Sequence, residues 1–169
     1  MTRFVRALIW GLFAIAFPST GANAPSPSPL PINIQADSAT VSETLGKSEY
    51  FGNVVISQGD LKITAEQVTL LSDKKSLTSI TALGESGAPA RFERSASSAR
   101  PGIIAEAKTI EYQVPLETLM LLGDALLQQG EDRYQGSRLS YNLQQGLFKV
   151  ENDGTSADRI NLIINPKPR

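Results

Sequence analysis

Residues 51–71, FGNVVISQGDLKITAEQVTLL, return 71 positions later as LGDALLQQGEDRYQGSRLSYN at 122–142, and the two align without a gap. Gly52 falls on Gly123, Gln58-Gly59 on Gln129-Gly130, Lys62 on Arg133, Ile63 on Tyr134, Val68 on Leu139 and Leu70 on Tyr141. A finer echo lies within each half. Ile34-Gln-Ala-Asp resembles Ile63-Thr-Ala-Glu 29 residues on, and Ala105-Glu-Ala-Lys stands 29 residues before Tyr134-Gln-Gly-Ser. An apolar residue follows each, at Val41, Val68, Tyr112 and Leu139. A unit this short cannot bury its apolar face alone, so the units must stack or fold over one another.

The units read as strands. Val54 and Ile56 alternate with polar or outward neighbours, as do Leu61, Ile63 and Ala65, and Ile32, Ile34 and Ala36, which is the period of a half-buried strand. Between the first two runs stands Ser57-Gln-Gly-Asp, matched by Gln128-Gln-Gly-Glu, and the glycine in each allows the positive φ of a tight turn. Helical periodicity is weak throughout: its best window, Glu117 to Gln129, contains Gly123 and aligns with a strand, so it is assigned to β. Gly84 to Gly102 reads mostly as loop joining the halves, with a strand from Pro89 to Glu93 that turns Phe92 inward. Ile160, Leu162 and Ile164 form a last strand before Pro166 and Pro168. The expectation is an all-β single domain over 32–165, with halves at about 32–83 and 103–154, followed by a short tail, 166–169.

Arg3 and Arg6 precede an apolar run, Ala7 to Phe17, and then Ala22-Asn-Ala, the layout of a cleavable secretory signal ending at Ala24. The run falls short of the roughly 20 residues of a membrane span. Pro25 to Pro31 reads as an extended leader. Without Arg3 and Arg6 the chain keeps 14 basic against 17 acidic residues, a balance that argues against nucleic acid as a partner. There is no Cys, so burial and backbone pairing must stabilise the exported chain without disulfides.

His is absent too, which removes the usual general base and, with Cys, the commonest zinc ligands. Asp37, Glu66 and Glu106 recur in the repeat and raise a two-carboxylate glycosidase, but residues fixed by a repeat generally serve the repeat. No calcium-loop or phosphate-loop motif occurs, so no catalytic residue, metal or cofactor is expected. What remains is the apolar stripe. Most such stripes are core. Here the large aromatics are few, and the positions read as inward include the small residues Ala36, Ala65, Ala107, Ala125 and Gly136, so a folded-over sheet could leave a groove for apolar guests.

Four ordered segments, PINIQADSATV, FGNVVISQGDLKITAEQVTLL, GAPARF and LLGDALLQQGEDRYQGSRLSY, resemble the OstA-like family of periplasmic lipopolysaccharide-transport proteins, over about Pro31 to Val150. The resemblance implies an open, twisted antiparallel β-jelly roll of about sixteen strands, folded like a taco, with lipopolysaccharide acyl chains held in its groove. Carried onto this chain, the groove residues are Ile32, Ile34, Val54, Ile56, Ile63, Phe92 and Tyr112. The resemblance also implies head-to-tail homo-oligomers, with the edge strands around Ile32, Ile34, Ile160, Leu162 and Ile164 as interfaces. LptC-like inner-membrane and LptD-like outer-membrane proteins would be the partners, and the periplasm the location. The chain departs from many relatives in its short C-terminal tail and its Ser/Ala-rich 94–99 loop. The competing expectation is a structural envelope protein with a closed core that binds protein or glycan on its surface.

Overall fold

In the computed structural model, residues 30–74, 76–98, 100–152 and 160–165 are described. The signal segment, most of the leader and the tail lie outside these residues. Twelve strands follow in order: β1 (Asn33–Gln35), β2 (Ser38–Ser42), β3 (Lys47–Gln58), β4 (Leu61–Asp73), β5 (Ser76–Leu83), β6 (Ala90–Arg94), β7 (Ile103–Ala107), β8 (Thr109–Gln113), β9 (Thr118–Gln129), β10 (Asp132–Asn142), β11 (Leu147–Glu151) and β12 (Asn161–Ile163). A 3₁₀ turn at Val114–Leu116 joins β8 to β9. The window 117–129 is therefore strand, as its alignment with β3 predicts.

The 71-residue repeat is structural. Added to the bounds of β2 and β3 it lands on those of β8 and β9, and β7, β10, β11 and β12 answer β1, β4, β5 and β6 in the same way. Each half thus contributes six strands, and β6 is part of the repeat.

Every neighbouring pair is antiparallel, and the four long strands β3, β4, β9 and β10 each serve two sheets. One sheet runs β2, β3, β4, β5, β8, β9, β10, β11; the other runs β1, β3, β4, β6, β7, β9, β10, β12. Counted segment by segment, the twelve strands make eight per sheet, which is the sixteen that the resemblance implies.

The long strands must turn from one sheet to the other, and the repeat carries the means. β3 passes through Gly52 (φ 77°) and Asn53 (φ 49°), β9 through Gly123 (φ 76°) and Asp124 (φ 52°), and the pairing register shifts beside each. Glycine adopts this conformation at little cost, and Asn and Asp tolerate it better than other residues. Across the corner the latch differs in chemistry but not in place: Asn53 Nδ2 donates to Asp37 Oδ2 (3.0 Å), while Lys108 Nζ meets Asp124 Oδ2 (2.9 Å). Asp37 and Lys108 are themselves 71 residues apart.

Strand parity then fills the space between the sheets. Ile34, Ile56, Ile63, Phe92, Ala105, Leu127, Tyr134 and Leu162 are successive register partners, one from each strand of the second sheet. Ala39, Tyr50, Val68, Ala82, Ile110, Leu121, Leu139 and Val150 form the facing row in the first. Apart from the exposed end members Ala39 and Leu162, the rows belong to one continuous core, crossed by the ring contacts Phe92–Tyr112 (5.7 Å) and Tyr134–Phe148 (4.0 Å). Ala36 departs from the sequence expectation: β1 ends at Gln35, and Ala36 is exposed where the chain bends toward β2.

Candidate functional site

Two features have the shape of a site: the apolar interior and the free strand edges at its ends. Val54, Ile56, Ile63 and Phe92 all point into the interior from the second sheet and are buried, with Ile56, Ile63 and Phe92 in one row. Ile34 continues that row on β1 and is half-buried, packed against the same core. Tyr112 faces them from β8 in the first sheet. Ile32 precedes β1 and is 37% exposed, so it stands outside the packed interior.

The interior is sealed in the middle and open at its ends. Leu127 and Phe92 are fully buried, whereas the same row finishes in half-buried Ile34 on one side and in Leu162, 47% exposed, on the other. This follows from the topology. Among the described residues β1 and β2 pair only with β3, and β11 and β12 only with β10, so each sheet has two edges with no further strand to cover the last row. Ile160, Leu162 and Ile164 sit on or beside β12, all exposed; β1 and β12 lie at opposite edges of their sheet. Asn165 anchors the end of β12, its backbone N–H donating to Asp132 Oδ1 (2.7 Å) and its Nδ2 to the Glu131 carbonyl (2.6 Å).

The carboxylates do not converge. Asp37 and Glu66 stand at corners, but Glu106 is two places ahead of the corresponding corner, which Lys108 occupies. Glu106 lies on the outer face of β7 and pairs with Arg91, which also holds Glu93. Among the described residues no group of His, Cys, Asp and Glu is placed to hold a metal ion.

Of the half of the interior supplied by the first sheet, sequence reasoning named only Tyr112 as a groove residue and left out Leu121 and Leu139, which are fully buried and face the other candidates. The signal was present, since Leu119-x-Leu121 and Leu139-x-Tyr141 alternate within the repeat itself. It also missed Arg94, the one buried charged residue among those described, at period two from Ala90 and Phe92.

Shared long strands folded over a packed apolar interior, with uncovered edges, define a twin-sheet β-jelly roll. Residues 33–147 match the family described as LptA/(LptD N-terminal domain) LPS transport protein, and the chain belongs to that family. It is 31% identical to the lipopolysaccharide export system protein LptH of Pseudomonas aeruginosa, over 99% of this chain and 98% of that one. To LptA of Haemophilus influenzae it is 25% identical, over 80% of this chain and 77% of the other. The crystal structure of Pseudomonas aeruginosa LptH, described as the LptA-homologous periplasmic component of the lipopolysaccharide transport device, superposes with a TM-score of 0.72 at 30% identity, covering 81% of this chain and 96% of that one.

Proposed function

We propose that this protein carries lipopolysaccharide through the periplasm, holding the acyl chains between its two sheets and passing them along copies joined edge to edge. The observation that carries this reading is the inward apolar row, eight strands wide, that ends uncovered at Ile34 and Leu162. The names of the relatives support the cargo and the compartment. Acyl chains enter by parting the sheets where Phe92 and Tyr112 touch, between the apolar rows of the two sheets. Strand addition at β1 and β12 uses main-chain hydrogen bonds and places one molecule's row against the next. The same edges meet LptC-like and LptD-like partners at the two ends of the series.

The sealed centre also suits a second reading, a structural envelope protein that never opens. Photo-crosslinkable residues at Ile34 and at Thr64, which lies on the outer face of β4, separate the two. Capture of lipopolysaccharide in cells at Ile34 and not at Thr64 is expected. Equal capture at both, or none at Ile34, would overturn the transport reading.

A further inference from the structure

Arg94 is 8% exposed, and the alternation of β6 turns it inward with Ala90 and Phe92. Its register neighbours across the sheet are Leu61, Ile103 and then Gln129. No hydrogen bond or ion pair satisfies its guanidinium among the described residues. The ion pairs nearest in sequence use Arg91, on the other face of the strand. None of its nitrogen atoms is sealed away without a partner, so its small remaining exposure falls on the charged head. The head therefore stands at the strand-end rim of the interior, between the two free edges, with its charge felt at the Tyr112 hydroxyl and Gln129 Nε2 donating to Tyr141 Oη across the sheets along the same rim (2.9 Å).

A cation drawn this far from water without a counter-charge is costly, and it is retained where something else supplies the anion. The repeat does not demand it. Its counterpart 71 residues on is Asn165, which caps β12. Arg94 also borders a cavity of about 310 Å³ at the strand ends, which takes in Ser95, Gly102 and Ile103 and reaches the outer-face row of Glu93, Ile104 and Gln128; the Glu93 carboxylate is bound to Arg91. Five N–H donors in a planar fork match a phosphate oxyanion.

We propose that Arg94 is an anchor for an anionic head group at the strand-end rim of the interior, gripping a phosphate of an acylated ligand whose chains lie between the sheets. This rests on the transport reading and names the residue that gives it selectivity for charged over neutral lipid. Binding is measured on the purified protein with three probes: bisphosphorylated lipid A, the same lipid A stripped of phosphate, and inorganic phosphate alone. The wild type should prefer the phosphorylated form by about tenfold, and Arg94→Gln should abolish that preference while holding affinity for the stripped form within about twofold. Arg94→Lys should keep part of the preference, and millimolar inorganic phosphate should not displace the phosphorylated lipid. In urea, unliganded Arg94→Gln should unfold no earlier than the wild type. An unchanged preference in a folded Arg94→Gln protein would overturn the anchor and leave the transport reading standing. Failure of the wild type to bind either lipid A would remove both. A lower urea midpoint would mark Arg94 as a structural residue and overturn the anchor, and displacement by free phosphate would mark an ion site independent of lipid.

Discussion

Ile63 and Thr64 are adjacent, yet they live in different solvents. Ile63 is fully buried between Ile56 and Phe92, while Thr64 pairs with Val55 and Arg91 on the outer face. Ile63→Ala should cost about 2–5 kcal/mol in urea unfolding, because it deletes buried methyl groups and leaves a cavity. Thr64→Ala should cost less than about 1 kcal/mol, and equal losses would mean that the faces are reversed. The phenols give a second test. Burial foremost, with the Glu117 charge adding and Arg94 opposing, raises the Tyr112 pKa above 10.0; burial and then Asp132 raise that of Tyr134. A raised phenol favours the folded state below the unfolded pKa, and that contribution is lost as pH climbs through the folded one. The urea midpoint should therefore fall as pH rises through and above the ordinary phenol value of about 10, and Tyr112→Phe should flatten the fall. At this scale most inward apolar residues were legible from period two, although the same alternation wrongly turned Ile32 and Ala36 inward. Arg94 was not, because alternation assigns a face without regard to charge and the Ser/Ala run beside it reads as loop.

Turns and corners were legible as a repeat before they were legible as geometry. The Ser57-Gln-Gly-Asp and Gln128-Gln-Gly-Glu turns place Gly59 and Gly130 at φ 61°, as their composition predicts. The 29-residue echo has a cause that alternation could not reveal: Asp37, Glu66, Lys108 and Ser137 mark four of the places where the chain crosses between sheets, Gly52-Asn53 and Gly123-Asp124 being two more. Reading those segments only as strands left the crossings unseen, and so set Glu106 beside Asp37 and Glu66 as an equivalent position and Ala36 among inward residues. The glycines make the corners testable. A methyl group at Gly52 would lie 2.3 Å from Asp37 Oδ2, and one at Gly123 2.9 Å from Lys108 Cδ, both at a positive φ. Gly52→Ala and Gly123→Ala should each destabilise by about 1 kcal/mol or more in urea unfolding. Gly123→Ala should be the milder, since the flexible Lys108 side chain can move aside. Removing the Lys108–Asp124 pair by Lys108→Met should change stability by less than about 1 kcal/mol, because both groups are well exposed.

Over the whole molecule, the order of strands could not be read from the sequence, since pairing between β5 and β8 or β7 and β9 joins segments whose only local signal is alternation. The free edges that this order creates carry the assembly prediction. Adjacent residues of a strand direct their N–H groups to opposite sides, so of Leu162 and Ile163 one donates toward β10 and the other outward. Proline at the two positions in turn should separate the roles. One variant should loosen β12 from β10, and the other should keep the wild-type urea midpoint yet lower concentration-dependent association in sedimentation. If neither weakens association, β12 is not an interface. The same ladder has a mechanical meaning. Hydrogen bonds between antiparallel strands run perpendicular to the strands, so a pull from one edge strand to the other loads them end-on rather than in shear. β1 and β12 are each held by three register pairs, whereas β3 with β4 and β9 with β10 share ten. Under tension the molecule yields first at its rims, peeling a three-residue strand that can zip back, while the folded centre bears the load intact.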